Sequence, residues 1–376
     1  MRIVELVPSL DVGGAERLAA LLAQGLTTLG HDVTVVSMFA ATGSWIEAEL
    51  RAAGIELRFL DKQPGLDLRM IGRLRRVLRD LQPDVVHTHL HTLKYAWPAV
   101  GFRGPAIVHT VHNLAEHEVE THTRAVHHVA FRLGVEPVAI GDAVAESLKR
   151  VYGRTPRSVI PNGIRVADFR SPAGTRERTR QALASQLGFE ADTTLFFTAG
   201  RLNEQKNHAG LLDAFASPAL ASAHLLVAGE GALLGALQAQ AAALGVASRV
   251  HFLGVRRDVS TLMAAADAFV LASNWEGNPL VVLEAMAAGL PVVATDVGCV
   301  AELVSHETGR VVPPGSPPAL AAALAELAGD RALVRALGAR GADIAAARFD
   351  VAVMARAYSE LFATVADGPH RRGGAC

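Results

Sequence analysis

The chain has 376 residues, 50% of them hydrophobic and 19% charged, which excludes disorder as the main state and suits two domains of ordinary size. Its 36 basic and 37 acidic residues leave a formal charge of −1, an argument against a nucleic-acid partner, because such proteins carry a basic face. Two cysteines, Cys299 and Cys376, build neither a disulfide framework nor a cysteine zinc cluster.

The elements follow in chain order. RIVELV (2–7) reads as a strand and PSLDVGG (8–14) as a glycine loop. AERLAALLAQGLTTLG (15–30) has apolar residues at helical spacing and stops at Gly30, and HDVTVVSM (31–38) is the next strand. The alternation continues with IELRFL (55–60) as a strand, MIGRLRRVLRDL (70–81) as a helix, and DVVHTH (84–89) and AIVHTVH (106–112) as strands. PVAIG (137–141) precedes the helix DAVAESLKRVYG, and SVIPNGI (158–164) closes the block. The polar segment FRSPAGTRERTR (169–180) has no strand character, which places a linker near 165–175.

The pattern then restarts. TLFFTAG (194–200), HLLVAGEG (224–231), VHFLG (250–254), AFVLAS (268–273), PVVATDVG (291–298) and GRVVPPG (309–315) read as strands with helices between them. Two final helices are expected over about 317–346, broken at Gly329, and over 350–366, followed by a flexible tail, 367–376. Repeated βα units mean parallel sheets with helices on both faces. The expected fold class is therefore α/β, with two doubly wound, Rossmann-like domains facing each other across a cleft. Ligands of such sheets sit beyond the carboxyl ends of the strands.

Four segments carry candidate chemistry. Gly13-Gly14 follows the first strand and opens a helix with Glu16 and Arg17, which fits either a tight turn or backbone approach to an anion. The pattern is not GxGxxG and no acid ends the second strand, so the dinucleotide fingerprint is absent. GRLNEQKN (200–207) puts Arg201 and Lys206 at a strand's carboxyl end, where two cations can clamp a diphosphate. SNWEGNPLVVLEAMAAG (273–289) holds Glu276 on a loop, then Gly277, Asn278 and Pro279 at a helix start, then Glu284 within an apolar run. A carboxylate there can take sugar hydroxyls, helix-start N–H groups can hold phosphate oxygens, and a buried Glu284 needs a partner. Histidines cluster in the first block. His87, His89 and His91 share one face of an extended chain, and His109 and His112 follow the next strand. A zinc site is disfavoured there because no carboxylate or cysteine completes the set. His117, His122, His127 and His128 read as exposed surface residues.

Together these segments, in this order, resemble the retaining nucleotide-sugar glycosyltransferases of GT-B fold, glycosyltransferase family 4, group 1. The most specific element is Glu276-x7-Glu284 with GLPVVATDVG after it. The resemblance implies an N-terminal acceptor-binding domain, 1–167, completed by the C-terminal helix of about 350–366, and a nucleotide-sugar-binding domain, 168–349. It implies that Gly13 and Gly14 approach the donor diphosphate and that Arg201 and Lys206 neutralise it as it leaves. Glu276 and Gly277 would meet the transferred sugar, the N–H groups of Asn278 and Leu280 would hold sugar or phosphate oxygens, and Glu284 the ribose. His112 matches the active-site histidine near the sugar's C6 hydroxyl, and the base would sit near Val255.

The implied reaction is transfer of a sugar, from a UDP-sugar in the first place, to a hydroxyl of a lipid-linked or polysaccharide intermediate or of a small secondary metabolite. No metal or other cofactor is expected, since the chain has no DxD pair. A nucleotide-sugar epimerase or hydrolase and a non-catalytic donor-binding module are the competing readings. A pyridoxal phosphorylase is disfavoured, because of Lys62, Lys94, Lys149 and Lys206 only Lys206 is near the site. MRIVELVPSL lacks the features of a signal peptide, and no apolar run reaches the ~18 residues of a membrane span. A cytoplasmic location is expected. The helix 69–81, with Arg69, Arg73, Arg75, Arg76 and Arg79 opposite its apolar face, offers peripheral contact with the inner face of a membrane.

Overall fold

The computed structural model describes residues 1–11, 13–101 and 103–367. The expected tail lies outside the described residues from 368 on, Cys376 included. The chain divides into two compact units. The first is Met1–Gly163 with the stretch that begins at Val351, and the second is Ile164–Asp350.

Among the described residues the first unit has seven strands: β1 Arg2–Val7, β2 Asp32–Ser37, β3 Glu56–Phe59, β4 Val85–His89, β5 Ala106–Val111, β6 Glu136–Ala139 and β7 Ser158–Val159. They form one parallel sheet in the order β3-β2-β1-β4-β5-β6-β7. The inner strands are buried on both faces, β4 along its whole length, as helices on both sides of a parallel sheet require. The order reverses between β1 and β4, which makes the carboxyl ends of those strands the switch point where such sheets bind ligands. The helix Gly14–Thr28 buries Leu18, Leu21, Leu22 and Leu26. Gly25 on that helix lets the C-terminal helix Val351–Ala366 close in, for a Cβ there would lie 2.7 Å from the Cβ of Ala355.

The second unit has six strands: β8 Leu195–Ala199, β9 His224–Ala228, β10 Val250–Phe252, β11 Ala268–Leu271, β12 Val292–Thr295 and β13 Gly309–Val312. All pair in parallel in the order β10-β9-β8-β11-β12-β13. Here the switch point lies between β8 and β11. The expected break near Gly329 is a change of helix. Pro317–Gly329 ends there, and the Asp330 side chain caps Arg331–Arg348 by accepting from the N–H groups of Ala332 and Leu333.

Two expectations about elements need correction. The polar stretch read as a linker holds the start of a helix, Thr175–Leu187. Its apolar residues are too few for a helical stripe, and polar bonds anchor it instead. Buried Arg180 donates to the carbonyls of Ala191, Ala265 and Thr193, and Arg176 pairs with Asp267. SVIPNGI extends only as the two-residue strand β7, because Pro161 has no N–H to continue a ladder.

Candidate active site

The second unit's switch point is built from two loops tied together. After β8 the chain runs Gly200-Arg201-Leu202-Asn203 into the turn Glu204–Lys206, where the Asn203 side chain accepts from the Lys206 N–H. Asn207, at φ 47°, then caps the helix His208–Phe215. After β11 the chain runs from Ala272 to Pro279 before the helix Leu280–Ala287. Asn274 donates its backbone N–H to the Gln205 carbonyl (2.8 Å) and its side chain to that of Glu204 (2.8 Å). Gln205 returns a bond to the Trp275 carbonyl (3.1 Å).

Across this joint Lys206 Nζ lies 2.6 Å from Glu276 Oε1. Ser273 donates to the same oxygen at 2.6 Å, and Thr295 holds the Ser273 carbonyl at 2.6 Å. Glu276 is 5% exposed, so a charge there needs such partners. Both bonds fall on Oε1, and Oε2 makes no hydrogen bond among the described residues. Arg201, on the same loop as Lys206, is exposed and forms no ion pair among the described residues. The arrangement thus offers one acceptor oxygen on Glu276 and, on the loop that carries its partner Lys206, a second cation that is not paired among the described residues.

Close backbone packing fixes these loops. Gly298, at φ 56°, presses on the Glu276 loop: a Cβ there would lie 2.0 Å from the Glu276 carbonyl oxygen. Cys299 donates its N–H to the Gly277 carbonyl at 2.9 Å. Gly229 and Gly231 hold the β8 loop in the same way, with added Cβ atoms 1.9 Å from the Gly200 carbonyl and 2.3 Å from that of Leu202.

The remaining expected residues are distributed as follows. Gly277, Asn278 and Leu280 surround the start of the helix Leu280–Ala287, with Pro279 as its N-cap rather than its first residue. Helix-start N–H groups have no intrahelical acceptor. Glu284 is buried on that helix. Val255 is 67% exposed on the loop after β10, whose neighbour in the sheet is β9, away from the Lys206–Glu276 pair in strand order. In the first unit, Gly13 caps the helix Gly14–Thr28, and Gly14 faces open space. His112 follows β5, and its N–H donates to Glu118 Oε2 at 3.1 Å. Burial pushes the Glu118 carboxyl up to about 8 despite the N–H groups of His112 and Asn113 that favour its charged form.

The histidine expectations change most. A carboxylate does complete the set on β4: Glu5 of β1 lies 2.9 Å from both His87 Nδ1 and His89 Nε2, all three buried. These ligand atoms lie within 4.8 Å of one another. His91 leaves the shared face because Leu90, at φ 53°, turns the chain into the turn Leu90–Thr92. His127, expected at the surface, is 0% exposed and stacks edge-on against His109 and Phe131. His117 is exposed and His128 half-buried, while the His122 side chain lies outside the described residues. Glu5, Ser273 and Gly298 were not anticipated. A charge within the apolar strand RIVELV was the available signal for Glu5, by the reasoning already applied to Glu284.

Known proteins carry the same plan. The family model described as Glycosyl transferases group 1 matches residues 179–343, and that of Glycosyltransferase Family 4 matches residues 12–168. The lipopolysaccharide core biosynthesis mannosyltransferase LpsB of Rhizobium meliloti is 31% identical over 233 residues, 59% of this chain and 65% of that protein. The D-inositol 3-phosphate glycosyltransferase of Jonesia denitrificans is 30% identical over 367 residues, 88% of this chain and 86% of the relative. Among solved structures, Anabaena Alr3699/HepE in complex with UDP superposes with a TM-score of 0.84 at 24% identity, covering 97% of this chain and 100% of that one. Two parallel-sheet α/β units in one chain, the near-full-length likeness and both family matches lead to one conclusion: the chain is a GT-B protein of glycosyltransferase family 4, the group 1 glycosyl transferases.

Proposed function

We propose that the chain transfers a hexose from a nucleoside-diphosphate sugar, UDP-sugar foremost, to a hydroxyl of a lipid-linked or polysaccharide intermediate, with retained anomeric configuration and without a divalent metal. The observation that carries this reading is the Lys206–Glu276 pair at the switch point of the second unit, with no hydrogen bond to Glu276 Oε2 among the described residues and exposed Arg201 on the Lys206 loop. Breaking the bond from sugar C1 to phosphate leaves its electron pair on the departing diphosphate and oxocarbenium character on the sugar. Arg201 and Lys206 stabilise the developing negative charge, the task a metal performs elsewhere. Glu276 accepts a sugar hydroxyl through Oε2, and Glu284 takes the ribose. The acceptor oxygen bonds to C1 from the face the phosphate leaves, and its proton passes to the departing phosphate oxygen. By the family resemblance, His112 and the Gly13–Gly14 backbone serve the same reaction from the first unit, and Val255 neighbours the base.

Relatives support the acceptor class, since one of them is a lipopolysaccharide core mannosyltransferase. No helix among the described residues is long and apolar enough to cross a membrane. The helix Arg69–Leu81 buries Met70, Leu74 and Leu78, and its arginines 69, 76 and 79 stay exposed beside Leu66 and Leu68, 73% and 67% exposed. Apolar residues flanked by arginines suit an anionic membrane surface, so flotation with anionic vesicles at low salt should carry the protein upward; protein left at the bottom removes this part.

The test of the transfer itself is incubation of radiolabelled UDP-hexoses with a lipid-linked acceptor and EDTA. The wild type should label the acceptor and give the donor's own anomer by NMR, and Glu276→Ala should not. Labelling unchanged in Glu276→Ala would remove the site. Donor consumed without labelled acceptor would favour a hydrolase or epimerase.

A further inference from the structure

A polar chain crosses the apolar interior of the first unit. Glu5 is 0% exposed and accepts from His87 Nδ1 and from His89 Nε2, each at 2.9 Å. On one arm, His89 Nδ1 lies 2.9 Å from His112 Nε2. On the other, His87 Nε2 lies 2.7 Å from Thr110 Oγ1, which lies 2.7 Å from the Tyr358 hydroxyl.

Each contact holds one proton, and the protons can be counted. Burial acts to raise the Glu5 carboxyl, but His87 and His89 outweigh it and hold it down at about 2. An ionised carboxylate only accepts, so His87 Nδ1 and His89 Nε2 both carry hydrogen. Burial, then its neighbour His87, pushes the His89 ring down to about 4, and burial with His89 and His87 pushes His112 down as well. Both rings are therefore neutral at pH 7. A neutral His89 with its proton on Nε2 has a bare Nδ1. The hydrogen in the His89–His112 contact must then come from His112 Nε2. That leaves His112 Nδ1 as a lone pair, and it makes no hydrogen bond among the described residues. With an ionised Glu5 and neutral His89 and His112, no other assignment satisfies the two contacts of this arm.

We propose that Glu5, acting through His89, is a positioning residue that fixes His112 as its Nε2–H tautomer and so presents Nδ1 as the acceptor for a substrate hydroxyl. The other tautomer would turn an N–H toward that hydroxyl, leave His89 Nδ1 without a proton to accept, and lose the contact. The inference rests on the reading that His112 meets the transferred sugar. It also decides between hydrogen and metal at the cluster. A cation bound by Glu5, His87 Nδ1 and His89 Nε2 would take the lone pairs these protons occupy and move the His89 proton to Nδ1, inverting His112.

The experiment has two arms on the full chain. The first is ¹⁵N–¹H NMR of the histidine rings of the wild type at neutral pH. His89 and His112 should both be Nε2–H, with unprotonated Nδ1. His112 as Nδ1–H or as imidazolium, or one bound zinc per purified chain that shifts these resonances, overturns the proposal. The second is kinetics. Glu5→Leu should lower kcat by about a hundred-fold with the donor KM within about threefold. Glu5→Gln, whose carbonyl oxygen still accepts from His89, should recover most of it. A folded Glu5→Leu with wild-type kcat overturns the proposal. His112→Ala separates the layers: unchanged transfer in that variant overturns the placement of His112 and the proposal with it. If transfer falls in His112→Ala but not in Glu5→Leu, only the relay fails. Should Glu5→Leu not fold, the wild-type tautomers decide alone.

Discussion

Replacing Gly298 with alanine should damage the site from outside it. The residue sits at φ 56°, where an L side chain costs about 1 kcal/mol. The added Cβ would also stand 2.0 Å from the Glu276 carbonyl oxygen and 2.9 Å from that of Gly277, both backbone atoms that cannot swing aside. To reach even 3.0 Å, the Glu276–Gly277 peptide must retreat by about 1 Å. Overpacking of this kind costs about 1–3 kcal/mol, so the total is about 2–4 kcal/mol. Gly315 supplies the control, because at φ 67° it has nothing within 4 Å and its alanine variant should lose only about 1 kcal/mol. Urea unfolding measures both. If Glu276 holds a sugar hydroxyl as proposed, the same 1 Å shift moves it off that hydroxyl, and a displacement of that size can cost about a hundred-fold in kcat/KM. Equal stability losses in the two variants, with wild-type kcat/KM in Gly298→Ala, would refute the reasoning.

Three further outcomes are expected. Arg201→Ala and Lys206→Ala should each lower kcat by about 10²–10³-fold with smaller changes in KM, because the proposed mechanism has them oppose charge that develops in the transition state; initial-rate kinetics with EDTA present checks this. Arg180→Met should cost about 2–4 kcal/mol in unfolding experiments yet leave kcat and KM unchanged, since it removes bonds to three carbonyls that precede β8 and β11, whereas the loops of the Lys206–Glu276 pair follow those strands. Stability should fall as pH drops from about 6.5 toward 4. Burial, then Lys94 and His91, holds folded His127 down at about 4, below its unfolded value, so its contribution is full above 6.5 and lost as pH falls through 4. His127→Phe should remove about 3 kcal/mol of that acid loss, and an unchanged pH–stability curve would contradict it.

The sheets were legible because parallel strands buried on both faces read as continuous apolar runs, as in LFFTA of β8 and VVAT of β12. The helix Thr175–Leu187 was not, because polar bonds from Arg176 and Arg180 rather than an apolar stripe anchor it. Glu276 and Lys206 could be placed on loops from their positions after strands, but not paired. Their 2.6 Å contact arises from the adjacency of β8 and β11, which lie some 70 residues apart in the chain. Glu5 was missed for the same reason, since its partners come from β4, which neighbours β1 only in the folded sheet. His127 misled because a polar sequence context does not reveal which side of a helix meets the sheet.

The most direct test of the donor site is thermal unfolding with UDP, GDP, ADP and dTDP, all at one concentration set at about 100 times the wild type's dissociation constant for UDP, with EDTA throughout. The account predicts stabilisation of about 2.7 kcal/mol by UDP, and its loss in a folded Arg201→Ala/Lys206→Ala double variant. No shift with any nucleotide, or a UDP shift of equal size in the double variant, would contradict it.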